Sequence, residues 1–222
     1  MKNLLSALLF GVCLLAANAQ AVVVRGTGTA ALVGHDLTDP ENDGLPDTNV
    51  NYNASFRASF EADFGGGEYA FNVFDNRLGG GNDKWCCDPN GWVEASFAKR
   101  YILTSFTASS ANDGPIRDSD WWLIQGSNDG VNYTTIFEYH KEGVSPWGDT
   151  RLQVNQYFAG TDYLTPAAYS TFPYQTLSTV YNGGMHQLGE LEFFGNEVPE
   201  PASLSLFALG AAALLARRRN TR

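Results

Sequence analysis

Residues 120–134 read DWWLIQGSNDGVNYT, and the fold class follows from that stretch. Trp121, Trp122, Leu123 and Ile124 form a short aromatic and branched run, the composition of a buried strand. Ser127-Asn128-Asp129-Gly130 then makes a polar turn, and Val131, Tyr133, Thr135, Ile136 and Phe137 resume a strand on its far side. The unit is a hairpin with Ser-Asn-Asp-Gly at its tip. Upstream, Val50, Tyr52, Ala54, Phe56, Ala58 and Phe60 alternate with polar residues and would share one face of a strand over 49–62. The apolar, small residues from Val22 to Val33 read as a first edge strand, and Trp92–Phe97 and Tyr101–Thr107 as two more strands. Trp85, Trp92 and Trp122 are assigned to the core. With no 3.6-residue period, no repeat and no second core between the termini, residues 22–197 are expected to form one all-β domain, a jelly-roll β-sandwich.

The termini have a different character. Lys2 precedes an apolar run from Leu4 to Ala17, followed by small residues at Ala17, Ala19 and Ala21, so residues 1–21 read as a secretory signal peptide. At the other end, residues 198–222 carry Pro199-Glu200-Pro201, an apolar stretch, and Arg217, Arg218 and Arg219. As a helix, Ser203–Ala216 would reach about 21 Å, short of a hydrocarbon core of roughly 30 Å. It would cross a bilayer only with local thinning or snorkelling arginines.

Net charge is −10 over 222 residues. Lys2, Arg217, Arg218, Arg219 and Arg222 all sit in the terminal segments, so the body between them is markedly acidic. Such a body repels nucleic acid and anionic polymers unless cations bridge them, and nucleic-acid binding is excluded. Outside the signal, cysteine is confined to Cys86 and Cys87. Adjacent cysteines close no ordinary loop; a vicinal disulfide, two free thiols and an intermolecular bridge remain open.

The strand–GSNDG–strand unit, together with the closing Gly189-Glu190-Leu191-Glu192-Phe193-Phe194-Gly195, resembles the discoidin or coagulation-factor C-type family, a galactose-binding-like β-sandwich. The resemblance covers about Phe71 to Gly195. It implies a binding module whose ligand sits on loops at one end of the sandwich. It also implies a structural calcium ion near Phe74-Asp75-Asn76 and Asp83-Lys84-Trp85, with Asp75, Asp83 and Glu192 as ligands. A second calcium loop is suggested by Asp39, Glu41, Asp43 and Asp47, whose spacing about a glycine suits a hard cation. The phrase DPENDGLPD looks like a single thrombospondin type 3 acidic repeat. The order Pro-Glu-Pro, short apolar helix, arginine cluster resembles the PEP-CTERM sorting signal of Gram-negative bacteria. That resemblance implies recognition by an exosortase, a transient inner-membrane anchor, and passage to the cell surface or extracellular matrix.

Trp147, His140, Arg117 and Asp118 fall in expected loops and carry the stacking and hydrogen-bonding chemistry that sugar rings require, so they are the candidate ligand residues. His35, His140 and His186 stand in no catalytic spacing. The sequence therefore favours non-catalytic binding of an extracellular polysaccharide or cell-surface glycan. A structural matrix protein without a sugar site is the second reading, and a glycosidase-like enzyme the third.

Overall fold

The computed structural model describes residues 22–42, 51–62, 66–182 and 184–199. The signal peptide, Asp43, Asp47, Glu200, Pro201 and Arg217–Arg219 lie outside the described residues. The ten strands are β1 (Val23–Thr27), β2 (Ser55–Ala58), β3 (Trp85–Cys87), β4 (Trp92–Ser109), β5 (Ser119–Gly126), β6 (Thr134–His140), β7 (Gln153–Phe158), β8 (Tyr169–Thr179), β9 (His186–Leu188) and β10 (Leu191–Val198). Short 3-10 turns at Thr29–Ala31, Ala70–Phe74 and Pro115–Arg117 complete the regular structure among the described residues. The fold is all-β, as the sequence predicts.

The layers are organised by β4. Its first part, Trp92–Ser96, pairs with β2 on one side and β8 on the other. Its second part, up to Ser109, pairs with β10 and β7. One long strand therefore belongs to both layers, and its register against β8 breaks between Ser96 and Tyr101, where it turns the corner. The two strands predicted at Trp92–Phe97 and Tyr101–Thr107 are this single strand. β5 and β6 extend the first layer beyond β8, and β1 extends the second beyond β7. β3 and β9 form a small separate ribbon.

Between the layers lies an aromatic core. Phe106 of β4 stacks on Tyr157 of β7 and meets Phe137 and Trp122 edge-on, while Phe172 of β8 packs on Phe193 of β10. Trp85 and Trp122 are fully buried. Trp92 is not a core residue. Strand alternation points Val93 and Ala95 inward and Trp92 and Glu94 to the opposite, outer face. The same alternation appears from Tyr52 to Phe60, where even-numbered residues are half-buried and odd-numbered ones exposed. Only Ser55–Ala58 pairs as strand there.

Candidate functional site

At one end of the sandwich β4 runs out at Ser109, β5 begins, and the turn from β8 to β9 arrives beside them. Tyr181 N donates to the Ile116 carbonyl at 2.9 Å and Val180 N to the Asp118 carbonyl at 3.0 Å, so the two loops are stitched together. Ile116, Tyr181 and Met185 are exposed there, Tyr181 at 66% of its surface. Beside them runs a chain of alternating charges. Arg117 Nη1 donates to Asp113 Oδ2 at 2.8 Å. Lys84 Nζ lies 2.9 Å from Asp113 Oδ1, a charge contact without hydrogen-bond alignment, and 3.2 Å from Glu68 Oε1. It also donates to Asn112 Oδ1 at 3.0 Å. Cys86 and Cys87 are joined as a vicinal disulfide on β3, and Cys87 Sγ stands 3.9 Å from Glu68 Oε2. Glu68, Cys86 and Cys87 bring their donor atoms within 4.8 Å of one another, but sulfurs committed to a disulfide are not thiolate ligands.

Three of the four candidate ligand residues take other roles. Asp118 is fully buried beneath this end and accepts from Arg151 Nη1 and Nη2 at 2.9 and 2.8 Å and from Ser145 Oγ at 2.6 Å. Burial pushes its carboxyl up, and the hydrogen bonds from Arg151 oppose that. It is a clamp between β5, the segment entering β7 and, through Gln187 Nε2 at 3.3 Å, β9. Trp147 is only 3% exposed, and its indole N–H donates to the Ala108 carbonyl at 3.1 Å. Its loop folds back onto the body because Asn155 Nδ2 holds the Pro146 carbonyl at 3.0 Å, so the ring fills the core and offers no face to a ligand. His140 is exposed, but stacks on Trp121 with centroids 4.3 Å apart on the outer face of β5 and β6. Arg117 alone stands in the exposed cluster. Tyr181 was missed; an aromatic residue directly before Asn182-Gly183-Gly184 was the signal that marks a ring on a turn.

The acidic residues also assemble differently from expectation. Glu192 is saturated: Oε2 accepts from Val33 N at 3.0 Å and Thr107 Oγ1 at 2.8 Å, and Oε1 from Gly34 N at 2.6 Å. Asp83 pairs with Arg77 at 3.2 Å. Among the described residues neither Asp75, Asp83 and Glu192 nor Asp39, Asp75 and Glu190 bring their donor atoms into a group as tight as that of Glu68, Cys86 and Cys87. The carboxyl turned toward Asp75 is that of Glu190, which is fully buried and raised well above the usual range by burial and then by Asp75 and Glu192. Its Oε1 accepts from Asn76 N at 3.2 Å, and its Oε2 has no hydrogen-bond partner. Asp39, also buried, joins through Asn76 Nδ2 at 2.8 Å. Asp36 lies behind it, its carboxyl pushed up to about 6 by burial and held by Thr38, Asp39 N and Phe193 N. The buried, unpartnered Tyr52 hydroxyl feels the charges of Glu190, Asp75, Asp39 and Asp36. Among the described residues no Lys or Arg forms an ion pair with Asp36, Glu190 or Glu192. Glu41 is exposed and outside the group.

At the opposite end, β10 finishes beside Arg100, and Pro199 leaves it exposed. Residues 197–219 match the PEP-CTERM protein-sorting motif. The chain carries a PEP-CTERM sorting signal. A PEP-CTERM signal implies an exported protein sorted to the cell surface. The motif begins while β10 is still paired, since Glu197 and Val198 stand opposite Tyr101 and Arg100. Among the described residues no helix is long and apolar enough to cross a membrane. No curated protein matches the chain in sequence. Solved structures do match part of the chain in fold. CpGH89CBM32-5 from Clostridium perfringens, determined in complex with GalNAc-β-1,3-galactose, superposes with a TM-score of 0.50 at 19% identity, over 64% of this chain and 96% of its own. CBM62 from Clostridium thermocellum Xyl5A gives a TM-score of 0.51 at 15% identity, over 65% of this chain and 96% of its own. At these identities the likeness is one of fold, a β-sandwich.

Proposed function

We propose that this PEP-CTERM chain is a non-catalytic glycan-binding module, and that the exposed loop end around Tyr181 and Arg117 holds the sugar. The observation carrying this reading is the exposed Tyr181, whose backbone is tied to Ile116, next to Arg117 at the end of the Glu68–Lys84–Asp113–Arg117 chain. An aromatic face stacks on the C–H side of a pyranose, and fixed donors and acceptors next to it read hydroxyl positions. The charges there already neutralise one another, an arrangement suited to hydrogen bonding rather than proton transfer. One structural neighbour, a complex with GalNAc-β-1,3-galactose, supports the same ligand class. The sorting signal supports processing by an exosortase, a transient inner-membrane anchor through the tail, and display on the surface or in the matrix of a Gram-negative cell.

The acidic cluster is the place we propose for a calcium ion. A buried carboxylate such as Glu190, which forms no ion pair among the described residues, is costly, oxygen-only donors suit calcium, and Glu190 Oε2 is a buried acceptor with nothing donating to it. Asp39, Asp75 and Glu190 would hold the ion, with Asp36 and Glu192 positioning the surrounding backbone. Bound calcium would set a positive charge against Glu190 and Asp36, which form no ion pair with Lys or Arg among the described residues, and its contribution is to stability.

The test is binding of the full chain to a panel of surface and secreted polysaccharides, with calcium and with chelator. Saturable binding that falls at least tenfold in Tyr181→Ala and Arg117→Ala, with the melting transition retained, supports the reading. Absence of binding to every glycan, with the fold intact, leaves a structural matrix protein in its place.

A further inference from the structure

On the outer face of the first layer, far from the buried core, lies a cleft of about 390 Å³. Register builds it: Arg57 of β2 stands opposite Glu94 of β4, Glu94 opposite Pro173 of β8, and Trp92 opposite Gln175. Gln125, at the bulged end of β5, and Tyr133, just beyond the hairpin tip, close the other wall. The polar groups are fixed. Glu94 is almost fully buried, and its Oε1 accepts from Arg57 Nε at 2.8 Å and from Nη2. The Tyr133 hydroxyl lies 3.1 Å from both Glu94 Oε2 and the Gly130 carbonyl oxygen. The Arg57 guanidinium sits 5.7 Å from the Trp92 ring centroid, and its side chain is 62% exposed. Arg57 thus keeps a donor for a ligand although Glu94 holds its other edge.

We infer that this cleft is a second glycan site, separate from the loop end, which takes a segment of a neutral hexose or pentose polysaccharide. Four observations converge on that class. Trp92 and Tyr133 both line the cleft and give it aromatic surface, on which the C–H face of a pyranose stacks. Gln125 and Gln175 offer carboxamides, each a donor and an acceptor, which suit the vicinal hydroxyls of a sugar. Arg57 and Glu94 cancel, so the cleft has no net charge, and the acidic body around it disfavours a uronate or sulfate polymer. The cleft is open, so an internal segment of a chain can lie in it, whereas the loop end presents a single exposed ring.

The inference rests on the glycan-binding reading but not on the loop end being occupied, and the experiment separates the two. Binding of the full chain to immobilised β-1,3-glucan, galactan and xylan, with alginate as the anionic comparison, is measured for the parent, Trp92→Ala, Gln175→Ala and Tyr181→Ala. Gln175→Ala is a surface change that leaves the core untouched, so it stays informative if Trp92→Ala fails to fold. The expected result is a loss of fivefold or more for at least one neutral polymer in Gln175→Ala, a larger loss in Trp92→Ala, and binding to that polymer retained in Tyr181→Ala. Unchanged affinity in Gln175→Ala and in folded Trp92→Ala, with loss confined to Tyr181→Ala, overturns the cleft and leaves the proposed function standing. Binding of alginate alone overturns the neutral class, and no binding by the parent overturns both.

Discussion

His186 lies against Trp85 and Tyr174, with ring centroids at 5.0 and 5.8 Å, and neither of its nitrogens has a hydrogen-bond partner. Burial lowers its pKa from 6.5 to about 3, so the folded chain holds it neutral while the unfolded chain protonates it. Between those two values stability rises with pH, and acid removes at most about 5 kcal/mol through this one ring. Asp36 acts in the opposite sense. Its carboxyl is pushed from 3.8 up to about 6, so the stability of its neutral form is present below 3.8 and lost as pH rises through about 6. Comparison of a variant with its parent isolates the histidine: His186→Phe is expected to flatten the fall in melting temperature between pH 6.5 and 4. Parallel curves for the two proteins would assign the acid sensitivity elsewhere. Gly126 makes a steric prediction. A Cβ there would stand 2.2 Å from Tyr169 Cδ2, so Gly126→Ala must displace that ring or the strand end, at a cost of about 1–3 kcal/mol in urea unfolding.

Among the elements, β5 is held at both ends by devices of different strength. At its start, buried Asp118 ties it to Arg151 and Gln187, and Arg151→Ala would leave that carboxylate without its cation. Removal of one partner from a buried pair costs roughly 3–5 kcal/mol, so the variant should show a large drop in urea midpoint, and Arg151→Lys a smaller one. At its far end the hairpin tip is organised by Asp129, which accepts from Val131 N at 2.9 Å and from Asn132 N and Nδ2 at 2.7 Å each. Those bonds hold its carboxyl well below the usual range, so their contribution is present at neutral pH and is lost only in strong acid. The tip is exposed, and Asp129→Ala is expected to lower the melting temperature by only a few degrees.

For the whole molecule, the acidic cluster joins the segment after β1, the turn after Phe74 and the approach to β10, so a cation there would stabilise the fold globally. At a calcium concentration a hundredfold above its dissociation constant the gain is about 2.7 kcal/mol, a shift of several degrees that chelator reverses. Glu190→Gln should abolish that shift. Glu192→Gln should lower stability with or without calcium, because its oxygens serve Val33, Gly34 and Thr107. A calcium response kept in Glu190→Gln would remove Glu190 from the ligand set. The start of the sorting signal and the loop end stand at opposite ends of β10: eight strand residues separate the approach beside Ser109 from the exit at Val198, about 26 Å at the rise of a strand. A chain held by its tail would therefore present Tyr181 and Arg117 away from the anchor.

What the sequence determined by itself is what neighbouring residues settle among themselves. The Trp121–Phe137 hairpin, the GELEFFG strand, the half-buried stripe from Tyr52 to Phe60 and the terminal sorting signal all rest on alternation, turn chemistry or short-range order, and each was legible. Of the candidate ligand and metal residues, Arg117, Asp39 and Asp75 keep a ligand's place in the proposed sites, and the others described do not, because their roles depend on what arrives from a distant part of the chain. Glu192 lies in β10 and Glu190 just before it, yet the first is saturated because the Val33 and Gly34 amides reach it, and the second is left facing Asp75. Trp147 looks like a loop aromatic until Asn155 draws its loop onto the body and the indole finds the Ala108 carbonyl. Trp92 reads like Trp85 and Trp122, but the single strand that turns the corner of both layers fixes its parity and puts it outside. A local pattern sets which face a side chain takes relative to its neighbours; only the packing of the layers decides which face is the interior, and which polar groups remain for a ligand.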